Sequence, residues 1–160
     1  MKNIVLSRID DRLIHGQVVT SWVKQTGGNR IMIVDDALTK DIFMQKILKA
    51  AAPPDVAVDV LTIEAAAVML KGEEESNEKI IILTKVPQTL EKLIEGGVKL
   101  KRIVLGGMGA KEGRKKFNRN VSASREEMDS MKRMIEGGTE IVFQLVPVES
   151  PVDVRKMLEA

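Results

Sequence analysis

Apolar residues along this chain fall in short runs separated by longer amphipathic stretches. Asn3–Leu6, Arg30–Val34, Val56–Leu61, Lys79–Leu83, Arg102–Leu105 and Glu140–Leu145 are β-branched or aliphatic runs of strand length. Roughly 20 to 30 residues separate most of them, which leaves room for one helix per gap. Gly16–Lys24 carries Val18, Val19, Trp22 and Val23 at helical spacing. Thr39–Ala51 carries Ile42, Phe43, Lys46, Ile47 and Ala50, and must stop before Pro53-Pro54. Thr62 is placed to cap a helix that runs to Lys71 and closes on Gly72. Pro87 suits the first helical position before Thr89–Glu95. Ser124-Arg-Glu-Glu127 is a capping-box pattern ahead of Met128, Met131, Met134 and Ile135, methionines that read as core, and Ser150-Pro151 opens a last short helix. The alternation predicts an α/β fold: a single open, mainly parallel β-sheet with helices on both faces. No linker, repeat or low-complexity tract divides the chain, so residues 1–160 are read as one domain.

In such a sheet, ligands and reactive groups collect at the carboxyl ends of the strands. Four segments are predicted there: Ser7–His15, Asp35-Asp36, Thr84–Gln88 and Gly106–Gly113. The first contains the only histidine of the sequence, within Arg8-Ile-Asp-Asp-Arg-Leu-Ile-His15-Gly-Gln-Val.

Composition narrows the chemistry. The formal net charge is +2, too small for a field that would recruit nucleic acid or acidic membranes. Aromatic side chains make up 2 % of the chain, too few for base-stacking platforms, and the core must be aliphatic. With no cysteine, disulfides, thiolate metal sites and cysteine nucleophiles are all excluded. One histidine makes a zinc site implausible. No apolar run approaches a membrane span and no signal-peptide pattern opens the chain, which points to the cytoplasm.

His15 stands at the entrance of the next helix. Imidazole is nucleophilic and partly neutral near pH 7. A phosphoryl group placed on it would meet the amides of Gly16, Gln17 and Val18 at the positive end of that helix. Arg12 could neutralise phosphoryl oxygens with its fork of donors, and Asp10 or Asp11 could orient the ring. The bland alternative is a surface histidine in a solvated, weakly paired loop. A serine hydrolase built on Ser7 lacks the G-x-S-x-G elbow.

Gly106-Gly-Met-Gly-Ala-Lys-Glu-Gly113 follows a strand but fits neither G-x-G-x-x-G nor the P-loop, so a close backbone approach is the better reading. Lys111, Arg114, Lys115, Lys116 and Arg119 read as a solvated face or a basic rim beside a phosphoryl site. Asp35-Asp36 reads as a cap for the second helix.

The stretch from Arg8 to Val18 resembles the active-site signature of the enzyme IIB component of the bacterial sugar phosphotransferase system, mannose/fructose/sorbose family. The likeness continues through Trp22, Ile31–Asp36, Ala52-Pro-Pro54, Leu93-Ile-Glu-Gly-Gly97, Val104-Leu-Gly-Gly-Met108 and Val121-Ser122, covering essentially the whole chain. It implies an open, mainly parallel sheet with an antiparallel C-terminal edge strand, a place that Glu140–Leu145 would fill. It also implies a cytoplasmic phosphoryl carrier, associated peripherally with a membrane permease. Such a carrier takes phosphate from a phosphorylated IIA protein and passes it to sugar entering through IIC and IID. The family's use of histidine agrees with the lack of cysteine. Carried over by position, His15 is phosphorylated on Nδ1, Arg12 stabilises the phosphoryl group and Asp10 assists. Gly16, Gln17, Gly106, Gly107 and Met108 surround it. No cofactor, metal or nucleic acid is implied, IIA is expected as a separate protein, and a homodimer is compatible. Thr84-Lys85-Val86-Pro87 departs from the family pattern, so no role passes to Thr84. The docking face around His15 is expected to be basic and partly apolar, through Leu13 and Met108. The alternative is a regulatory or scaffolding domain of the same fold, switched by phosphorylation of the histidine.

Overall fold

Buried aliphatic runs need both faces covered, and a sheet threaded by crossover helices provides that. The computed structural model describes residues 1–159. Its elements are β1 (Ile4–Asp10), α1 (Gly16–Thr26), β2 (Arg30–Val34), a 3-10 turn (Leu38–Lys40), α2 (Ile42–Ala51), β3 (Ala57–Leu61), α3 (Ile63–Leu70), β4 (Ile80–Thr84) and α4 (Pro87–Glu95). There follow β5 (Arg102–Gly107), β6 (Lys115–Asn118), β7 (Val121–Ala123), α5 (Arg125–Glu136), β8 (Glu140–Phe143), β9 (Val152–Asp153) and α6 (Val154–Glu159). Seven strands form one sheet in the order β3-β2-β4-β1-β5-β8-β9, and β6-β7 is a separate antiparallel hairpin.

All pairings from β3 to β8 are parallel. The antiparallel edge strand is the two-residue β9 paired to β8, not the Glu140–Leu145 segment expected in that role. The β5-to-β8 connection contains α5 and so brings the chain back parallel, while the short Gln144–Pro151 turn can only reverse it.

One apolar layer joins Ile9, Ile82, Leu105 and Phe143 of the sheet to α3, α4, α5 and α6. The other joins Leu6, Ile31, Leu83 and Val104 to α1 and α2. Helix starts follow their caps. Thr62 accepts from the Ala65 amide, Pro87 opens α4, and Ser124 and Glu127 form the reciprocal capping box. Asp41, rather than Asp35 or Asp36, caps α2. Asp35 accepts from the Leu38 amide, and Asp36 accepts from the Ile63 amide at the mouth of α3.

Helix α2 departs from the expected pattern. Leu48 is its buried residue, whereas Ile42 and Phe43 are 68 % and 67 % exposed. Strand β1 also runs four residues beyond the predicted apolar stretch, because Ser7, Arg8 and Asp10 are buried along with Ile9.

Candidate functional site

Extension of β1 to Asp10 leaves a loop of five residues before α1. The chain turns at Leu13, whose φ of 57° lies in the left-handed region, and the Leu13 amide donates to the Asp10 carbonyl at 2.9 Å. Leu13 and Ile14 are buried against the α1–α2 layer, which pins the loop and leaves His15 as the N-cap residue of α1. The imidazole is 23 % exposed.

Asp10 is the hub. Its carboxylate, 1 % exposed, accepts from Arg12 Nε at 3.0 Å and from the Arg12 amide at 3.1 Å on Oδ1. On Oδ2 it accepts from Arg12 Nη2 and from His15 Nε2, both at 3.1 Å, and more distantly from Arg8 Nη2 at 3.4 Å. Burial by itself would push this carboxyl up. The hydrogen bonds from Arg12 and His15, with the Arg8 charge, outweigh it and hold Asp10 below the ordinary range. An ionised carboxylate only accepts, so the proton of a neutral His15 ring sits on Nε2 and the lone pair on Nδ1. Of the two aspartates that could orient the ring, Asp10 is the one that hydrogen-bonds to it.

Arg8 lies beneath this cluster, 1 % exposed. It donates to the carbonyls of Gln144 at 2.9 Å and Leu145 at 3.0 Å, and its guanidinium lies 5.3 Å from the centroid of the Trp22 ring. Burial pulls it down to about 10, which still leaves it charged at neutral pH. Gly106 and Gly107 make room for the arginines. A Cβ on Gly106 would stand 2.8 Å from Arg8 Nε and closer still to Nη2 and Cζ, and one on Gly107 would meet Arg12 Nη2 at 3.0 Å. The glycine pair thus shapes the site through the arginines it admits.

Asp11 faces the other way. It accepts from the Gly109 amide at 2.7 Å and from Arg114 Nη1 at 3.3 Å. Arg114 also donates to the Gly109 carbonyl and, through Nε and Nη2, to both oxygens of Glu127 at 2.9 and 2.7 Å. Its side chain is 2 % exposed, so Arg114 belongs to a buried latch and not to a basic rim. Lys111, Lys115, Lys116 and Arg119 remain exposed.

The helix entrance is open. No side chain among the described residues caps α1, Gly16 and Gln17 are exposed, and a Cβ on Gly16 would touch nothing within 4 Å. The amides at this end are therefore available to an anion. Thr84 is fully buried and donates to the Val86 carbonyl at 3.3 Å, in keeping with its lack of an assigned role. Ser7 alternates with Arg8 and Asp10 along β1 and so points to the opposite face, which removes the serine hydrolase reading. Leu13 and Met108 were expected on an exposed apolar face, but they are 3 % and 1 % exposed. Leu13 is drawn into the α1–α2 layer and Met108 is bridged to Val121.

The family model described as PTS system sorbose subfamily IIB component matches residues 4–160. The sorbose-specific EIIB component of Lacticaseibacillus casei is 32 % identical over 151 residues, 94 % of this chain and 92 % of that protein. The mannose-specific EIIAB component of Escherichia coli K12 is 34 % identical over 146 residues, and the match spans 91 % of this chain but 45 % of that longer protein. The crystal structure of the IIBSor domain of the sorbose permease from Klebsiella pneumoniae superposes with a TM-score of 0.93 at 29 % identity, covering 98 % of this chain and 96 % of that one.

Proposed function

The chain belongs to the sorbose subfamily of IIB components of the phosphotransferase system, transferases of sugar uptake, and on that premise we propose that His15 is the residue that carries the phosphoryl group. The observation that carries the proposal is the Asp10 Oδ2 to His15 Nε2 contact at 3.1 Å, which leaves Nδ1 free to attack phosphorus. In the first step the N–P bond of a phosphohistidine on IIA breaks as the bond from phosphorus to His15 Nδ1 forms, and the electron pair returns to the donor imidazole. In the second, a sugar hydroxyl oxygen presented by the membrane IIC and IID components attacks phosphorus. The Nδ1–P bond then breaks and the hydroxyl proton is released.

Arg12 is held by Asp10 through Nε and Nη2, so Nη1 and the remaining Nη2 hydrogen point away from that pair and serve the phosphoryl oxygens. The open α1 amides supply the rest of the charge stabilisation. Catalysis is then positioning and electrostatics, as phosphoryl transfer requires. No helix among the described residues is long and apolar enough to cross a membrane, in keeping with a carrier that visits the permease from one side.

Phosphorus NMR of the chain incubated with phosphorylated IIA tests the reading. A phosphoramidate resonance assigned to Nδ1, absent in His15→Ala, is expected, and Arg12→Ala should slow its appearance by on the order of 10²–10³-fold. A phosphorylated His15→Ala protein would overturn the assignment.

A further inference from the structure

A carrier of this kind must be covered by its donor during transfer, and the face that could be covered is not the one the sequence suggested. Leu13 and Met108 are buried. Large apolar side chains do stand exposed at the carboxyl edge of the sheet, on either side of His15. Ile42 and Phe43 open α2 after β2, at 68 % and 67 % exposure, and Val148 follows β8 at 96 %. In the strand order β2-β4-β1-β5-β8, His15 follows the central strand. Four strand spacings of about 4.8 Å separate β2 from β8, the strands these flanks follow, roughly 19 Å, a width that fits the footprint of a typical 800 Å² docking face.

Between these flanks the edge presents donors. Asp10 is taken up by Arg12 and His15, Asp11 by Arg114 and the Gly109 amide, Asp35 by the Leu38 amide and Asp36 by the Ile63 amide. Lys85 is paired with Asp35 at 3.7 Å, while Arg8 and Arg12 set two positive charges against the one carboxylate of Asp10, which with the open α1 amides leaves a net positive centre beside His15.

We propose that Ile42, Phe43 and Val148 are the apolar anchors of the surface that docks the phosphohistidine-bearing donor protein. The occupant is named by charge: an unphosphorylated carrier offers a cationic centre to a dianionic phosphoryl group, whereas the sugar acceptor is met only after that centre has been filled. The proposal rests on the assignment of His15 as carrier, and its test separates the two.

The variants are Phe43→Asp, Ile42→Asp/Phe43→Asp and Val148→Asp. All three positions are mostly exposed, and an acidic residue in the first turn of α2 favours the helix, so unfolding midpoints should stay at the wild-type value. Transfer is measured from phosphorylated IIA and, separately, from the small-molecule donor phosphoramidate. With phospho-IIA, KM is expected to rise by about tenfold or more while kcat stays within about twofold. Phosphoramidate should react with variants and wild type alike. KM values unchanged with phospho-IIA would overturn the docking assignment, as would an equal loss with both donors. A loss confined to the later step, phosphate passing to sugar in permease vesicles, would also overturn it, by giving this face to the membrane component. Failure of the wild type with both donors would instead strike at His15 itself.

Discussion

Replacing Gly106 with alanine adds one methyl group directly against a buried guanidinium. Gly106 is not among the positive-φ glycines, so alanine fits the backbone and the whole penalty is steric. The new Cβ would stand 2.8 Å from Arg8 Nε, in a layer where Arg8 is 1 % exposed and tied to the carbonyls of Gln144 and Leu145. Overpacking costs about 1–3 kcal/mol, and loss of one charge-assisted hydrogen bond about 1.5–3 kcal/mol, which together give about 4 kcal/mol. With a urea m-value of about 2 kcal/mol/M for a domain of this size, the unfolding midpoint should fall by about 2 M. The cause is isolated by a double-mutant cycle. In an Arg8→Ala background the three atoms nearest the methyl are gone, and Gly106→Ala should cost less than about 1 kcal/mol there. A midpoint within about 0.3 M of wild type, or an equal loss in both backgrounds, would refute the steric account.

Asp10→Asn should fold yet slow phosphorylation by on the order of 10³–10⁴-fold, since a neutral amide no longer dictates which ring nitrogen of His15 holds the proton; rapid-quench transfer assays read this directly. The Asp10 carboxyl titrates below its ordinary range in the folded state, so its contribution to stability is fully present above the unfolded value near 3.9 and is lost as pH falls through the lower folded one. Urea midpoints measured below about pH 4 should therefore drop less steeply in Asp10→Asn than in wild type. Arg114→Gln leaves the Glu127 carboxylate, 4 % exposed, without its cation and with the Ser124 amide still donating to it, and should cost about 3 kcal/mol, with faster hydrogen exchange at the Gly109 amide as the latch opens. Ser124→Ala removes the reciprocal cap of α5 and should cost about 1 kcal/mol in the same urea assay.

The sequence disclosed what is set locally. The caps at Thr62, Pro87 and Ser124 depend on neighbours within three residues, and each appears where its pattern stands. The placement of His15 at the carboxyl edge followed from strand periodicity and a topological rule. What stayed hidden depends on partners distant in the chain. Arg8 and Arg114 look like surface charges until Gln144, Leu145 and Glu127 come to meet them. Choosing between Asp10 and Asp11 likewise required the Gly109 loop, 98 residues away, which occupies Asp11. The parallel run of β8 and the exposed apolar turn of α2 are set by crossover and layer coverage, which no local hydrophobic pattern encodes.

The placement of Trp22 has a practical side. The chain has one tryptophan and no tyrosine, so its ultraviolet emission comes essentially from a single indole. That indole is buried, donates from Nε1 to the Leu145 carbonyl at 3.0 Å and lies against Arg8, whose other contacts reach Asp10. The protein thus carries a native optical reporter three contacts from the His15 imidazole, and under the proposed assignment arrival or departure of a phosphoryl group there should be readable by stopped-flow emission without labels.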